Sequence, residues 1–519
     1  MRAMGGTRTA RNLNLALPLV VAAAVCLLLP GSAAAEPRVI PPPVLKGVPG
    51  LPGPIAAPAQ PASQGLGLLR TTPDNGAVGS SFTVSGEGLP RNKSVDIVWA
   101  TGKGAYVLNP TQYDVEFVGR QLEPVNVVLA KGTTDAAGRL SLQLKVPRDY
   151  GSIHDIYAVA DGRQVAKGGF LVNRAYTVTP KKGPIGTPIT ITVTGLGWKS
   201  YESTVALIWD NRFVGYISST TTRGAATVRI RAAGSVGGHT MEMVNAGSAL
   251  PYLDIEQAGL FFVGRYKTTF TVTGDKGPPK PTMEWPEAVQ PTVSTRTTLL
   301  GVASGVKANL SSQIGDVLTK VDVTASGLAP GVPVDLKWAT PVGTRSLASG
   351  WSMASDPLGR ATPAADGSLR TSIEIPNNVG GWHSVQLYQN GKLQAEVSYY
   401  VRQKLLGVTP TTVKAGEMFT IRVRGVGWTE LDNGFAVTYD NAYAGFACGF
   451  YEKGDVKLNL YATGGPGTHL IDFYPMIYKG KSTDLWNQQL PMLAFRQDNP
   501  ALALGYKLPA MRIAIRVVK

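Results

Sequence analysis

Histidine occurs four times in 519 residues, always in one setting. The stretches are YGSIHDIYAV, SVGGHTMEMV, VGGWHSVQLY and GPGTHLIDFY, and His154, His239, His383 and His469 each stand shortly after a glycine at the head of an apolar run. Imidazole is the side chain that ligates zinc and moves protons near neutral pH, so metal binding and acid–base work are the first chemistries to weigh. A zinc site needs three or four ligands converging within about 2.0–2.3 Å of the ion. No CxxC, HExxH or clustered His/Asp pattern accompanies these residues, so they read as structural.

Other reactive patterns are sparse. WDNRFVGY and YDNAYAGF offer Asp210 and Asp440 as calcium or sugar ligands, but Asp-Asn between two strands is also what a two-residue hairpin turn selects. ADGRQ and QNGKL read as the same kind of turn, and no D-x-D-x-D-G loop occurs. There is no G-x-S-x-G, no phosphate-cradling loop, and the one S-x-x-K string, SGVK at 304–307, lacks its partner motifs. The expectation is a chain that is not an enzyme, with no catalytic residue, no metal site and no cofactor. Trp351 in ASGWSMASD and Trp486 in STDLWNQQL fall outside the strand alternation, in loops where an indole could stack on a sugar or anchor a partner, or cover a sandwich end.

The elements that must carry these residues are strands. Sixty glycines and 37 prolines punctuate short Val/Thr-rich runs, and TVALIWDN, ATVRIRA and HTMEMV place apolar residues at every second position. The chain is also duplicated. VTPKKGPIGTPITITVTGLGW answers VTPTTVKAGEMFTIRVRGVGW, with Pro180, Trp198, Asp210 and His239 matching Pro410, Trp428, Asp440 and His469 at a constant shift of 230. VDIVWATGKG likewise answers VDLKWATPVG, so a two-part cassette occurs twice, A–B–A–B. The predicted architecture is all-β, four tandem immunoglobulin-like β-sandwiches. Boundaries are a signal peptide at 1–35, a Pro/Gly/Ala-rich tether at 36–66, A1 at 67–174, B1 at 175–274, a Pro-rich linker at 275–294, A2 at 295–403 and B2 at 404–519.

The V-T-P, glycine, strand, G-x-G-W, strand pattern of the B units resembles the IPT/TIG and related bacterial Ig-like domains. The A units, with GEGLP and ASGLAP at that step, resemble more distant Ig-like relatives. The resemblance implies a sandwich fold and an extracellular setting rather than a reaction. Each histidine lies seven residues after the end of the preceding strand, at Pro147, Ala232, Pro376 and Ala462. In immunoglobulin domains a corner tyrosine bonds back to the turn there. An imidazole can do the same from one nitrogen while its ring packs at the sandwich end. With no Ig-type disulfide, Trp99, Trp209, Trp338 and Tyr439 on the third strands are expected to fill the sandwich centres.

Residues 1–35 combine Arg2, Arg8 and Arg11, an apolar run and small residues at Ala33 and Ala35, which reads as a signal peptide cut after Ala35 with no transmembrane anchor following. Cleavage leaves Cys448 alone, among apolar neighbours, as a buried small hydrophobe. The formal charge of +15 falls to +12 without the three arginines and is scattered rather than clustered, so no specific nucleic-acid partner is expected. Each B unit carries an insertion before its last strand, expected to pack against the adjoining A unit or form a recognition face. Together these features predict a secreted, non-catalytic structural or adhesive protein of the cell surface. Its partners would be envelope polysaccharide or a surface protein, with self-association as a further mode. The alternatives are a carbohydrate-binding protein, a subunit of a fibre or surface layer, and an unrecognised secreted hydrolase.

Overall fold

The computed structural model describes residues 50–519 except 62–64, 111–114, 200–201, 247–249, 254–264, 287–304, 345–349, 450–452 and 480–488. Signal-peptide residues 1–35 and Trp486 therefore lie outside the described residues, as does Ser304 of the SGVK string.

The chain is all-β, and its alternating runs become the strands of four sandwiches in A–B–A–B order. B1 shows the plan. A three-stranded sheet (Ala175–Thr179, Pro188–Thr194, Ala226–Arg231) faces a five-stranded one ordered Lys182–Gly183, Tyr266–Val272, Gly237–Asn245, Thr204–Trp209, Arg212–Ser218. A2 repeats this 3 + 5 arrangement, and B2 pairs three strands with six. In A1 the strand Gly67–Thr72 pairs with Ser81–Gly86 on one side and Arg163–Asn173 on the other, which joins both layers into one nine-stranded sheet. Each sandwich has its own apolar core, as period-2 patterning requires when one face of each sheet is buried.

The Asp-Asn and Asp/Asn-Gly pairs are tight turns. Asp210 and Asn211 have φ of 48° and 64°, and Asp440 and Asn441 have 47° and 62°, the left-handed conformation of a two-residue hairpin loop.

The sandwiches are not strung out. A1 sends out a hairpin of Ser94–Pro110 and Val115–Thr133, strands of 17 and 19 residues, whose far end buries Tyr106, Leu108 and Val115. These residues share a central apolar cluster with Tyr216 of B1, Tyr400 of A2, and Leu431, Met492 and Tyr506 of B2. Two Pro-rich stretches expected to be tethers lie along the sandwiches in their described parts: Pro54–Ile55 pairs with Val115–Thr133, and Thr282–Glu284 pairs with Ala510–Val518 of B2. Both add to sheet edges, where the missing N–H of Pro54 need not be bonded.

Candidate functional site

The four histidines are built alike at one nitrogen and in two ways at the other. Nε2 meets the carbonyl four residues back in every unit: Tyr150 O (2.8 Å), Ser235 O (2.7 Å), Val379 O (2.9 Å) and Gly465 O (2.8 Å). In the A units Nδ1 meets a strand carbonyl, Ala100 O at 2.9 Å for His154 and Ala339 O at 3.2 Å for His383. In the B units it meets a carboxylate, Asp210 at 2.5 Å for His239 and Asp440 at 2.6 Å for His469. The turn aspartates also accept from Thr240 N and Leu470 N at 2.8 and 2.9 Å, so each ties the hairpin turn to the histidine strand. Among the described residues no group of three or more His, Cys, Asp or Glu is placed to hold a metal ion.

The imidazoles stack on the third-strand aromatics: Trp99 on His154 at 4.3 Å, Trp209 on His239 at 5.3 Å and Trp338 on His383 at 4.6 Å between ring centres. Those three indoles are fully buried. Tyr439 departs from the expectation, being half-buried, with its hydroxyl donating to Thr463 O at 2.9 Å. A phenol needs a partner for its polar end, so it sits at the rim. Phe435 and Phe473, stacked at 4.6 Å, fill the B2 centre instead.

His383 and His469 respond oppositely to pH. Complete burial of His383 outweighs its carbonyl contacts and pushes its pKa down to about 4. Burial would also lower His469, but the Asp440 carboxylate more than offsets it and the pKa is raised. His383 therefore stabilises the fold fully above the unfolded value of about 6.5, and that stability is lost as pH falls towards about 4. His469 contributes fully below that unfolded value and loses its contribution as pH rises through its raised folded pKa. We predict that acidification from pH 7 to 4 costs roughly 3 kcal/mol through His383 alone. A His383→Gln variant should show a flatter stability–pH curve by urea unfolding between those limits; an unchanged slope would refute the assignment.

The G-x-G-W step of each B unit forms the joint to its A unit. Trp198 lies 4.8 Å from the His154 ring and 6.2 Å from Tyr150, and Trp428 lies 5.2 Å from His383. Beside each indole the chains touch backbone to backbone: Gly151 N donates to Leu196 O at 2.8 Å and Gly380 N to Val426 O at 2.9 Å. The histidine corner of A is thus capped by the tryptophan of B.

At the A1–B1 joint a cleft of about 330 Å³ remains open, walled by Tyr150 and Trp198 and edged by Arg120, Gln121 and Leu122 of the A1 hairpin and Ser203 of B1. Arg120 donates to Ser203 Oγ at 2.9 Å across its mouth. The Tyr150 hydroxyl is already used, donating to Thr220 O and accepting from Gly104 N at 2.9 Å, so that residue serves as a fixed wall.

Trp351 lies in a strand rather than in the loop expected for it, and of the two roles left open by the sequence, binding and packing, it takes packing. It opens the strand Trp351–Ala361, is 8% exposed, and packs against Val379 and Trp428. The loop reading failed because ASGW lacks alternation, while part of the burial here comes from Trp428 of the neighbouring sandwich, which no local pattern announces. Cys448 is half-buried at the end of Ala442–Cys448 rather than enclosed, since that strand lies at the sheet edge.

Sequence reasoning missed the charged residues that hold the sandwiches together. Asp498, in the B2 insertion, accepts from Thr220 N (2.8 Å), Thr221 N (2.7 Å) and Thr221 Oγ1 (2.8 Å) of B1 and from Tyr106 Oη (2.9 Å) of A1. The same insertion packs against A2, with Trp382 Nε1 donating to Leu504 O at 3.2 Å, and sends Leu493 and Phe495 into the B1 core. Arg231 of B1 binds Asp472 of B2, and Arg512 of B2 donates to Arg229 O (3.0 Å), Glu284 (3.1 Å) and Tyr474 Oη (2.7 Å). Phe117 N of A1 donates to Glu430 of B2 at 2.8 Å, and Asn441 Nδ2 of B2 to Arg231 O of B1 at 2.7 Å. The available signal was RQDN, a polar cluster inside the apolar insertion PMLAFRQDNPALAL.

No family model matches the chain, and no curated protein matches it. Among solved structures it is similar to a protein of Corynebacterium diphtheriae described as membrane anchored, at 14% identity over 64% of this chain and 89% of that one, TM-score 0.18. It is similar to the D0-D1 domain of Intimin at 14% identity over 32% of this chain and 89% of that one, TM-score 0.12. A third similarity is to dimeric latent PorU from Porphyromonas gingivalis, at 11% identity over 63% of this chain and 32% of that one, TM-score 0.15. Scores this low carry nothing from those proteins to this one. Among the described residues no helix is long and apolar enough to cross a membrane.

Proposed function

We propose that this chain is a non-catalytic, exported protein of the bacterial cell surface, with a structural or adhesive role exercised through contacts to protein or envelope polysaccharide. In this reading the B units are IPT/TIG-like modules and residues 1–35 are the export signal. The observation that supports it most is the use made of buried charge. Asp498, Asp472, Arg231, Arg512 and Glu430 are all buried, and each joins one sandwich to another. Catalytic sites instead aim perturbed titratable groups into a cleft. Such joints build a rigid scaffold.

The test is co-sedimentation of residues 36–519 with envelopes of the host across a salt series. The protein should pellet with the envelopes and stay bound in part above about 0.5 M salt, where exposed charge pairing is screened. A protein that remains in the supernatant at every salt concentration would overturn the surface reading. Loss of all binding by that concentration would reduce it to polyanion attraction.

A further inference from the structure

The two cassettes differ at the joint between A and B, and the difference leaves a cleft open in the first. In A1 the hairpin register sets Leu122 opposite Gly104; in A2 it sets Trp351 opposite Gly343, and VDIVWATGKG aligns with VDLKWATPVG so that Gly104 matches Gly343. Leu122 and Trp351 thus hold the same position on the same strand. Tyr150 and Val379 also correspond, each four residues before its histidine, and Trp198 corresponds to Trp428. In the second cassette Trp351 lies buried on Val379 and Trp428. In the first the shorter Leu122 is 38% exposed, and the space beside Tyr150 and Trp198 is the open cleft. One copy is plugged by an indole and the other is not.

We infer that the A1–B1 cleft binds one acidic sugar residue of an envelope polysaccharide, an inference that rests on the surface reading above. Trp198 offers an apolar ring wall of the kind on which a pyranose packs, held by its contacts with His154 and Tyr150. Among the described residues of the lining Arg120 is the charged one, exposed on the surface, and its planar fork suits a carboxylate. Gln121 and Ser203 supply the neutral donors and acceptors that hydroxyl groups require. At about 330 Å³ the cleft lies at the small end of ligand sites, which run from about 300 to 1,000 Å³, so it suits a single ring rather than a long chain segment.

Isothermal titration of residues 36–519 with tetragalacturonate, with maltotetraose as the neutral comparison, tests this. The acidic oligosaccharide should bind saturably and the neutral one more weakly. Leu122→Trp, which copies the second cassette, should abolish binding without shifting thermal unfolding. Arg120→Gln should weaken tetragalacturonate roughly tenfold or more, the loss of one charge-assisted hydrogen bond, while leaving maltotetraose unchanged. It serves as the second variant should Leu122→Trp fold poorly. The inference is overturned if wild type shows no saturable binding at millimolar tetragalacturonate, if maltotetraose binds as tightly, or if neither variant changes the affinity. Intact co-sedimentation with any of those results removes the cleft alone. Tetragalacturonate binding without envelope binding removes the surface reading and keeps the cleft.

Discussion

Asp472→Ala should lower stability by about 3–5 kcal/mol, the loss typical of removing one partner from a buried ion pair. Asp472 is 1% exposed and lies between two guanidinium groups, Arg231 of B1 and Arg512 of B2, the latter at 3.3 Å. Its removal leaves two cations buried side by side. Arg231 would retain only the carbonyls Ile471 O and Ile513 O, and Arg512 would retain Glu284 and Tyr474. Burial works against the Arg512 charge and is offset by Tyr474, Asp472 and Glu284 together, so the variant loses part of that offset, and a guanidinium does not escape by losing its proton. Because the residues belong to different sandwiches, the effect should appear as an early thermal transition separating B1 from B2 rather than as a uniform shift. A loss under about 1 kcal/mol, the range of exposed pairs, would mean that water reaches this network.

The second large effect is expected from Gly380→Ala. A Cβ there would stand 1.8 Å from Gly425 O, and the equivalent Cβ at Gly151 would stand 1.9 Å from Gly195 O. The obstructing atom is backbone in both cases, so no rotamer change relieves the clash and the sandwiches must part. The cost should reach or exceed the top of the usual overpacking range of about 1–3 kcal/mol. Limited proteolysis should then cut at the A2–B2 joint, and the Trp428 indole should become more accessible to a fluorescence quencher. Gly465→Ala is the control, since nothing lies within 4 Å of its Cβ. Equal behaviour of the two variants would show that close backbone approach does not hold the joint.

The contrast between these residues and the histidines shows where sequence reading succeeds. His154, His239, His383 and His469 could be placed at one corner of four sandwiches because strand period and turn spacing are local and recur at a fixed interval. The same locality made Asp210 and Asp440 legible as turn residues. Their second task, bonding the histidine 29 residues later, depends on which strands become neighbours in the sheet. Trp351 shows the limit most plainly: no periodicity distinguishes an indole exposed in a loop from one buried by the next sandwich.

The sequence alone determined the all-β class, the A–B–A–B duplication and the four histidine corners, since each follows from the two-residue period, turn chemistry and internal repetition. Only the tertiary structure decided that the sandwiches close around a shared centre, that Asp498, Asp472, Arg231 and Arg512 join them, and that Trp351 plugs one joint while Leu122 leaves the other open. The physical reason is range. A strand's pattern is written in its own side chains, but the partners of Asp498 in A1 and B1 lie 392 and 278 residues away, and no local rule brings them together.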